Sequence, residues 1–150
     1  MANLLILTVG IPGAGKTTWV EKYIRKHGST CVVSTDAIRK ELTGTAECDE
    51  SQIQQIHTEA RKRARHYLEL KRDVVVDATN VDVEEWKAYK EICLPSTLMC
   101  AKVFEIDMEK AIRRVQKRGT VEVPRHRFEY KQQLFEASKP FLRKYFCFFF

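Results

Sequence analysis

The sequence predicts an α/β fold, a mostly parallel sheet of four to five strands with helices on both faces. Three observations predict it. Short apolar runs alternate with segments of helical periodicity along the whole chain. The first run, Asn3–Val9, is apolar almost throughout, as in a strand buried on both faces. A glycine-rich turn then joins that strand directly to a helix, and the alternation as a whole implies right-handed crossovers. At 150 residues, the chain fits one domain spanning residues 1–150.

The elements follow in order. After the strand Asn3–Val9, Gly10–Lys16 breaks the pattern. Thr17–His27 reads as a helix with Trp19, Val20, Tyr23 and Ile24 on one face and Gly28 as its stop. Thr30–Ser34 is a short strand, and Thr35–Leu42 a short helix with Ile38 and Leu42 inward. Thr43–Glu50 is a polar loop. Ser51–Lys71 is a long helix, with Ile53, Ile56, Ala60, Ala64, Tyr67 and Leu68 at helical spacing. Val74–Asp77 opens on three valines and suits a central parallel strand. Val83–Cys93 is a helix ended near Pro95, and Thr97–Ile106 a fourth strand. Met108–Arg118 is a helix stopped by Gly119. Pro124 opens a last helix to about Ala137, since a missing N–H costs little at a helix start, and Pro140 breaks it.

Composition excludes several classes. With 44% hydrophobic and 31% charged residues, and few glycines or prolines, the chain is neither disordered nor fibrous. The apolar N-terminus has no basic region before it and is too short to span a membrane, so it is read as a strand rather than a signal peptide. The five cysteines, Cys31, Cys48, Cys93, Cys100 and Cys147, lack metal-ligand spacing, which points to reduced thiols in a cytoplasm. Net charge is +6, unevenly spread. Residues 1–101 hold 14 basic and 14 acidic side chains, whereas residues 102–150 hold 12 and 6. A basic last third fits a polyanionic partner without identifying it.

The strongest local signal is Gly10-Ile-Pro-Gly-Ala-Gly-Lys16-Thr17. It fits the phosphate-binding pattern G-x-x-x-x-G-K-[ST], set between a predicted strand and a predicted helix as in P-loop NTPases. Backbone N–H groups of Gly13, Ala14 and Gly15 can wrap a phosphate chain, because glycine permits the close approach and the unusual dihedrals. The helix start adds the positive end of its dipole. Lys16 supplies a charge for the β- and γ-phosphates, and Thr17 a hydroxyl for Mg²⁺. The motif implies a nucleoside triphosphate, with ATP and Mg²⁺ expected, and leaves the phosphate acceptor open.

Three further places bear on the acceptor. Asp36 follows the second strand, at the sheet end where ligands bind in open α/β folds. It reads either as the base that accepts a hydroxyl proton in phosphoryl transfer or as a plain helix cap. Arg39, three residues on, shares its helix face and can hold an acceptor phosphate. Arg114 and Arg118 lie four apart on a helix that ends at Gly119. They read either as arginines of a C-terminal helical lid, over about residues 108–125, or as a solvated basic face. Asp77, at the end of an apolar strand, suits a carboxylate near Mg²⁺, acting through water. Thr79 and Asn80 would line the cleft just outside that strand, or else form a capped turn.

Together these blocks resemble the kinase domain of phage-type polynucleotide kinases, which phosphorylate 5′-hydroxyl ends of nucleic acids. The blocks are Leu7–Trp19, Asp36-Ala-Ile-Arg39, Asp77-Ala-Thr79-Asn80, and Arg114–Thr120 followed by Val123-Pro124. They span roughly residues 4–128 in the family's order. The resemblance implies Asp36 as general base and Arg39 on the acceptor phosphate. It implies Lys16, Thr17 and Thr18 on the donor phosphates and Mg²⁺, and Arg118 as lid arginine supported by Arg114. Asp77 and Thr79 match less securely. The chain has no Asp-x-Asp-x-Thr motif, so no phosphatase activity is expected. The implied partners are DNA or RNA 5′ ends, in a nucleic-acid repair setting, and the two central strands would be the first and third. A small-molecule alcohol (nucleoside, sugar or antibiotic), or a modified base in DNA, is the alternative acceptor. A nucleotide-gated nucleic-acid binder is the non-enzymatic reading.

Other features remain unassigned. Arg61, Lys62, Arg63, Arg65, Lys71 and Arg72 on the long helix could track a nucleic-acid backbone or simply be solvated. Arg125, Arg127, Lys131, Arg143 and Lys144 extend the basic surface. His57 and His66 carry no partner pattern. The aromatic end, Tyr145–Phe150, reads as a terminal strand, a contact between copies in a homo-oligomer, or a base-stacking surface.

Overall fold

The computed structural model describes residues 2–44, 50–119 and 122–150. Cys48, most of the predicted Thr43–Glu50 loop and Thr120 of the fourth motif block lie outside the described residues. The elements are β1 (Asn3–Val9), α1 (Lys16–Lys26), β2 (Cys31–Ser34), α2 (Thr35–Thr43), α3 (Glu50–Glu69), β3 (Val74–Asp77), α4 (Val83–Ile92), β4 (Thr97–Val103), α5 (Met108–Arg118) and α6 (Arg125–Ser138). A single 3₁₀ turn (Lys139–Phe141) and the short α7 (Leu142–Tyr145) follow.

The four strands form one parallel sheet in the order β2-β3-β1-β4. The first and third strands are central, as the resemblance implies. β1 pairs with β3 from Leu5↔Val74 and with β4 from Asn3↔Thr97. β2 pairs with β3 from Cys31↔Val74 to Ser34↔Asp77. This register brings the carboxyl ends of β1, β2 and β3 side by side.

Strand alternation sorts the core into two layers. Leu5, Leu7 and Val9 face the larger cluster, which takes apolar residues from α2, α3, α4, α5 and α6. Ile6, Val75 and Cys100 face the other way, against Val20, Trp19, Tyr23 and Ile24 of α1. Helices therefore cover both faces. The end of α3 is pinned to the start of β1, where Asn3 Nδ2 donates to Leu68 O at 3.1 Å.

Element ends depart from the sequence reading for local reasons. β4 stops at Val103 rather than Ile106, because Val9↔Val103 is the last pair that β1 offers. Just beyond it, Phe104 N donates to Val9 O at 2.8 Å. Pro124 precedes the last helix instead of opening it, with ψ at 147° outside the helical range. Of the three readings of the aromatic end, the strand-like one describes its placement. Cys147 N donates to Met99 O, and Ala101 exchanges hydrogen bonds with Phe148 O and Phe150 N, along the outer edge of β4.

Candidate active site

The loop after β1 is shaped by its glycines. Gly13 and Gly15 sit at φ +83° and +94°, in the left-handed region that a side chain resists. A Cβ on Gly13 would also lie 2.6 Å from Ala111 O of α5, so the loop and that helix touch here. Gly15 precedes α1 with no side chain capping the helix, which leaves its first N–H groups for an anion. Gly10 N donates to Thr79 O at 2.9 Å and ties the loop to the end of β3.

Lys16 is buried and donates from Nζ to Ile11 O at 2.7 Å, folded back on its own loop. Burial lowers its pKa to about 8, opposed by the charges of Asp77 and Asp36 and reinforced by Lys131 and Arg118. The charges of those four groups all reach the loop lysine. Thr17 Oγ1 donates to Asp77 Oδ2 at 3.0 Å. Burial raises the Asp77 pKa, while Thr17 and Lys16 pull it down. A hydroxyl and a desolvated carboxylate in contact form a hard-oxygen pair that fits Mg²⁺. Thr18 is exposed beside them.

Asp36 stands on the first turn of α2. The helix cap is Ser34, whose Oγ accepts from Ala37 N at 3.2 Å. The capping role that competed for Asp36 is thus filled by another residue. The Asp36 side chain is 81% exposed, and its Oδ1 accepts from Arg39 Nη1 at 2.6 Å. Arg39 is mostly buried, with its Nε lacking a partner. Asp77 ends β3 and Asp36 lies two residues past the end of β2, where Ser34 pairs with Asp77.

Across the loop, Arg114 Nη1 donates to Gly13 O at 3.4 Å. Arg118 is exposed one turn on, with its charge felt at Lys16. The structure thus brings Gly13, Ala14, Gly15, Lys16, Thr17, Thr18, Asp36, Asp77, Thr79, Arg114 and Arg118 to one sheet end, with Arg39 behind Asp36.

Asn80 is a correction. Its side chain is 1% exposed and does not line the cleft. Nδ2 donates to Thr8 O at 2.8 Å, and its own backbone carbonyl accepts from Trp86 Nε1. Three of the six basic residues on α3 and just after it are engaged within the fold. Arg63 pairs with Glu59 and Glu41, Arg65 with Glu69 and Ile92 O, and Arg72 donates to Ser29 O. Arg125 pairs with Glu109 and Glu129, bracing α5 against α6.

Two groups near the site, one around Lys131 and one around His57, had no role assigned from the sequence. Lys131 of α6 donates from Nζ to Thr79 Oγ1 at 3.2 Å. Between α3 and α4, His57 Nε2 lies 3.8 Å from Glu85 Oε1, with Tyr89 one turn along. Burial, with Lys131, Arg61 and Arg39, lowers the His57 pKa to about 4, so the contact is not an ion pair at neutral pH. Burial raises the pKa of Glu85 and of Tyr89. The i, i+4 spacings of His57–Arg61 and Glu85–Tyr89 were visible, but nothing in one helix names the helix it faces.

Several solved structures share this fold. A chain of the Pnkp1/Rnl/Hen1 RNA repair complex is 22% identical with TM-score 0.83, over 93% of this chain and 46% of that one. This chain therefore spans about half the length of that protein. A gluconokinase from Sinorhizobium meliloti 1021 is 16% identical with TM-score 0.62, over 89% of this chain and 75% of that one. Shikimate kinase from Acinetobacter baumannii, in complex with shikimate, is 13% identical with TM-score 0.64, over 100% of this chain and 83% of that one. At these identities the likeness establishes the fold. Residues 5–138, nearly the whole chain and every motif block, match the family model described as AAA domain, and the chain belongs to that family.

Proposed function

We propose that the chain is an ATP-dependent polynucleotide 5′-hydroxyl kinase, transferring the γ-phosphoryl group to a 5′-OH end of DNA or RNA in a cytoplasmic setting. The observation that carries this reading is Asp36. It is an exposed carboxylate freed from capping by Ser34 and held by Arg39, on the helix that follows the strand paired with that of Asp77. A base for an alcohol needs these properties, together with reach to the donor phosphate. The loop N–H groups and Lys16 hold the β- and γ-phosphates. Thr17 and Asp77 would hold Mg²⁺, directly or through water, and when bound the ion neutralises phosphate charge. Asp36 takes the hydroxyl proton as the acceptor oxygen attacks in line. Arg118, with Arg114, covers the transferring group from α5 as a lid arginine. The RNA repair complex among the similar structures supports a nucleic-acid acceptor.

The gluconokinase and shikimate kinase likenesses favour a second reading, a small polyol acceptor on the same donor site. Transfer from γ-labelled ATP separates the two. The expected result is label on a 5′-OH oligonucleotide. Label on small alcohols alone would overturn the polynucleotide assignment. Asp36→Asn should lower transfer by about 10²-fold or more with ATP affinity unchanged. Wild-type turnover in that variant would remove Asp36 from the chemistry.

A further inference from the structure

We propose that Lys131 is a further substrate-binding residue, which holds a phosphate of the acceptor next to the hydroxyl being phosphorylated. It thereby selects a phosphate-bearing acceptor over a neutral alcohol. This rests on the function proposed above and adds a residue outside the four motif blocks.

The argument starts from what Lys131 lacks. It is half-buried, and among the described residues no carboxylate lies within ion-pair distance of its ammonium. On the same stretch of chain, Arg125 and Lys139 are each paired to two glutamates. Lys131 instead donates one hydrogen bond, to the neutral hydroxyl of Thr79. An ammonium has three N–H donors, and a partly desolvated one without a counter-charge is costly. An anionic ligand offsets that cost.

Position then selects the ligand. Thr79 lies just past Asp77 at the carboxyl end of β3. The charge of Lys131 is felt by Lys16 on one side and by His57 and Glu85 on the other. It therefore stands between the phosphate loop and the α3–α4 wall, on the acceptor side. The donor end already has Lys16, the loop N–H groups and the two arginines of α5. On the acceptor side, Arg39 is engaged by Asp36. The facing carboxyl, Glu85, is buried, which disfavours its charged form. A neutral hydroxyl compound would leave Lys131 uncompensated, whereas a phosphate supplies the charge and the oxygens for its free donors.

Calorimetry on wild type and Lys131→Gln tests this, with ATP, thymidine and thymidine 3′-monophosphate as probes. Both nucleosides carry a 5′-OH, and only the second carries the phosphate. The wild type should bind the monophosphate at least tenfold more tightly than thymidine. Lys131→Gln should lose about tenfold on the monophosphate, with thymidine, ATP and thermal midpoint unchanged, and Lys131→Arg should recover part of the loss. If the monophosphate is bound and phosphorylated equally well by Lys131→Gln, this assignment fails while the kinase reading stands. An equal loss on ATP would move Lys131 to the donor and also overturn it. If the wild type ignores both nucleosides and phosphorylates a neutral polyol, the polynucleotide reading and this inference fall together.

Discussion

Thr79 and Asn80 are adjacent, yet their side chains do opposite things. Thr79 takes a hydrogen bond from Lys131 at the cleft, while Asn80 is turned into the fold. Asn80 holds φ +44°, in the left-handed region that asparagine tolerates better than most residues. Its amide joins β1 to β3 through Thr8 O, and its carbonyl anchors the Trp86 indole at 2.7 Å. Asn80→Ala should therefore cost about 2–3 kcal/mol in chemical denaturation, from a lost buried hydrogen bond and a strained backbone. Affinity of the folded fraction for ATP should stay within about twofold. A stable Asn80→Ala protein with impaired substrate binding would return Asn80 to the site. The contrast shows what was legible at this scale. Gly13, Gly15, Lys16 and Thr17 were readable because a phosphate loop is local chemistry. Asn80 and Lys131 were not, because each is defined by a partner about fifty or more residues away.

At the scale of elements, the interface of α3 with α4 carries an unusual load for a packed layer. His57, Glu85 and Tyr89 are largely desolvated there, with Arg61, Arg39 and Lys131 among the charges acting on them. Oε2 of Glu85 and the hydroxyl of Tyr89 are buried without a partner. The sign of the pH effect follows from His57. Its folded pKa of about 4 lies below its ordinary value of 6.5. The unfolded chain therefore takes up a proton that the folded one refuses, and stability falls as pH drops from 6.5 towards 4. The His57 side chain is 24% exposed, so the effect is of order 2–3 kcal/mol. Glu85 works in the opposite sense, since its raised pKa favours the folded state as acid is added. The measurement must isolate His57, and His57→Gln retains Glu85. Urea denaturation of both proteins should show the variant gaining on wild type across that window. A pH-independent difference would mean that the imidazole is not held neutral. Helix periodicity located both helices, but their lateral pairing depends on how β2 and β3 lie in the sheet, which no single segment encodes.

For the whole molecule, the alternation of strands and helices fixed the class, and the central place of β1 and β3 followed from the family resemblance. The aromatic end was the least determined feature, because six nearly uniform residues carry no periodicity. Its placement is set by the sheet. β4 is an edge strand with unpaired backbone groups on its outer side, a template that attracts any extended segment. Residues 147–150 meet it through three backbone hydrogen bonds. Phe150 reaches the α1 layer, with its ring 5.7 Å from Trp19 and 5.5 Å from Tyr23. Phe146 stays below in the main core, 5.2 Å from Trp86. The segment therefore closes an edge and seals the α1 face, at the strand farthest from the β2–β3 side where Asp36 and Asp77 stand. Deleting residues 147–150 should lower stability by about 1–3 kcal/mol, the sum of modest net hydrogen bonds and partial aromatic burial. For a chain of this size that is roughly 3–10 °C in thermal midpoint. The uncovered β4 edge should raise light scattering on concentration, while ATP affinity of the soluble fraction stays unchanged. An unaltered midpoint would show that the segment leaves β4 in solution. A loss of ATP binding at full stability would show that the outer edge of β4 is coupled through β1 to the phosphate loop.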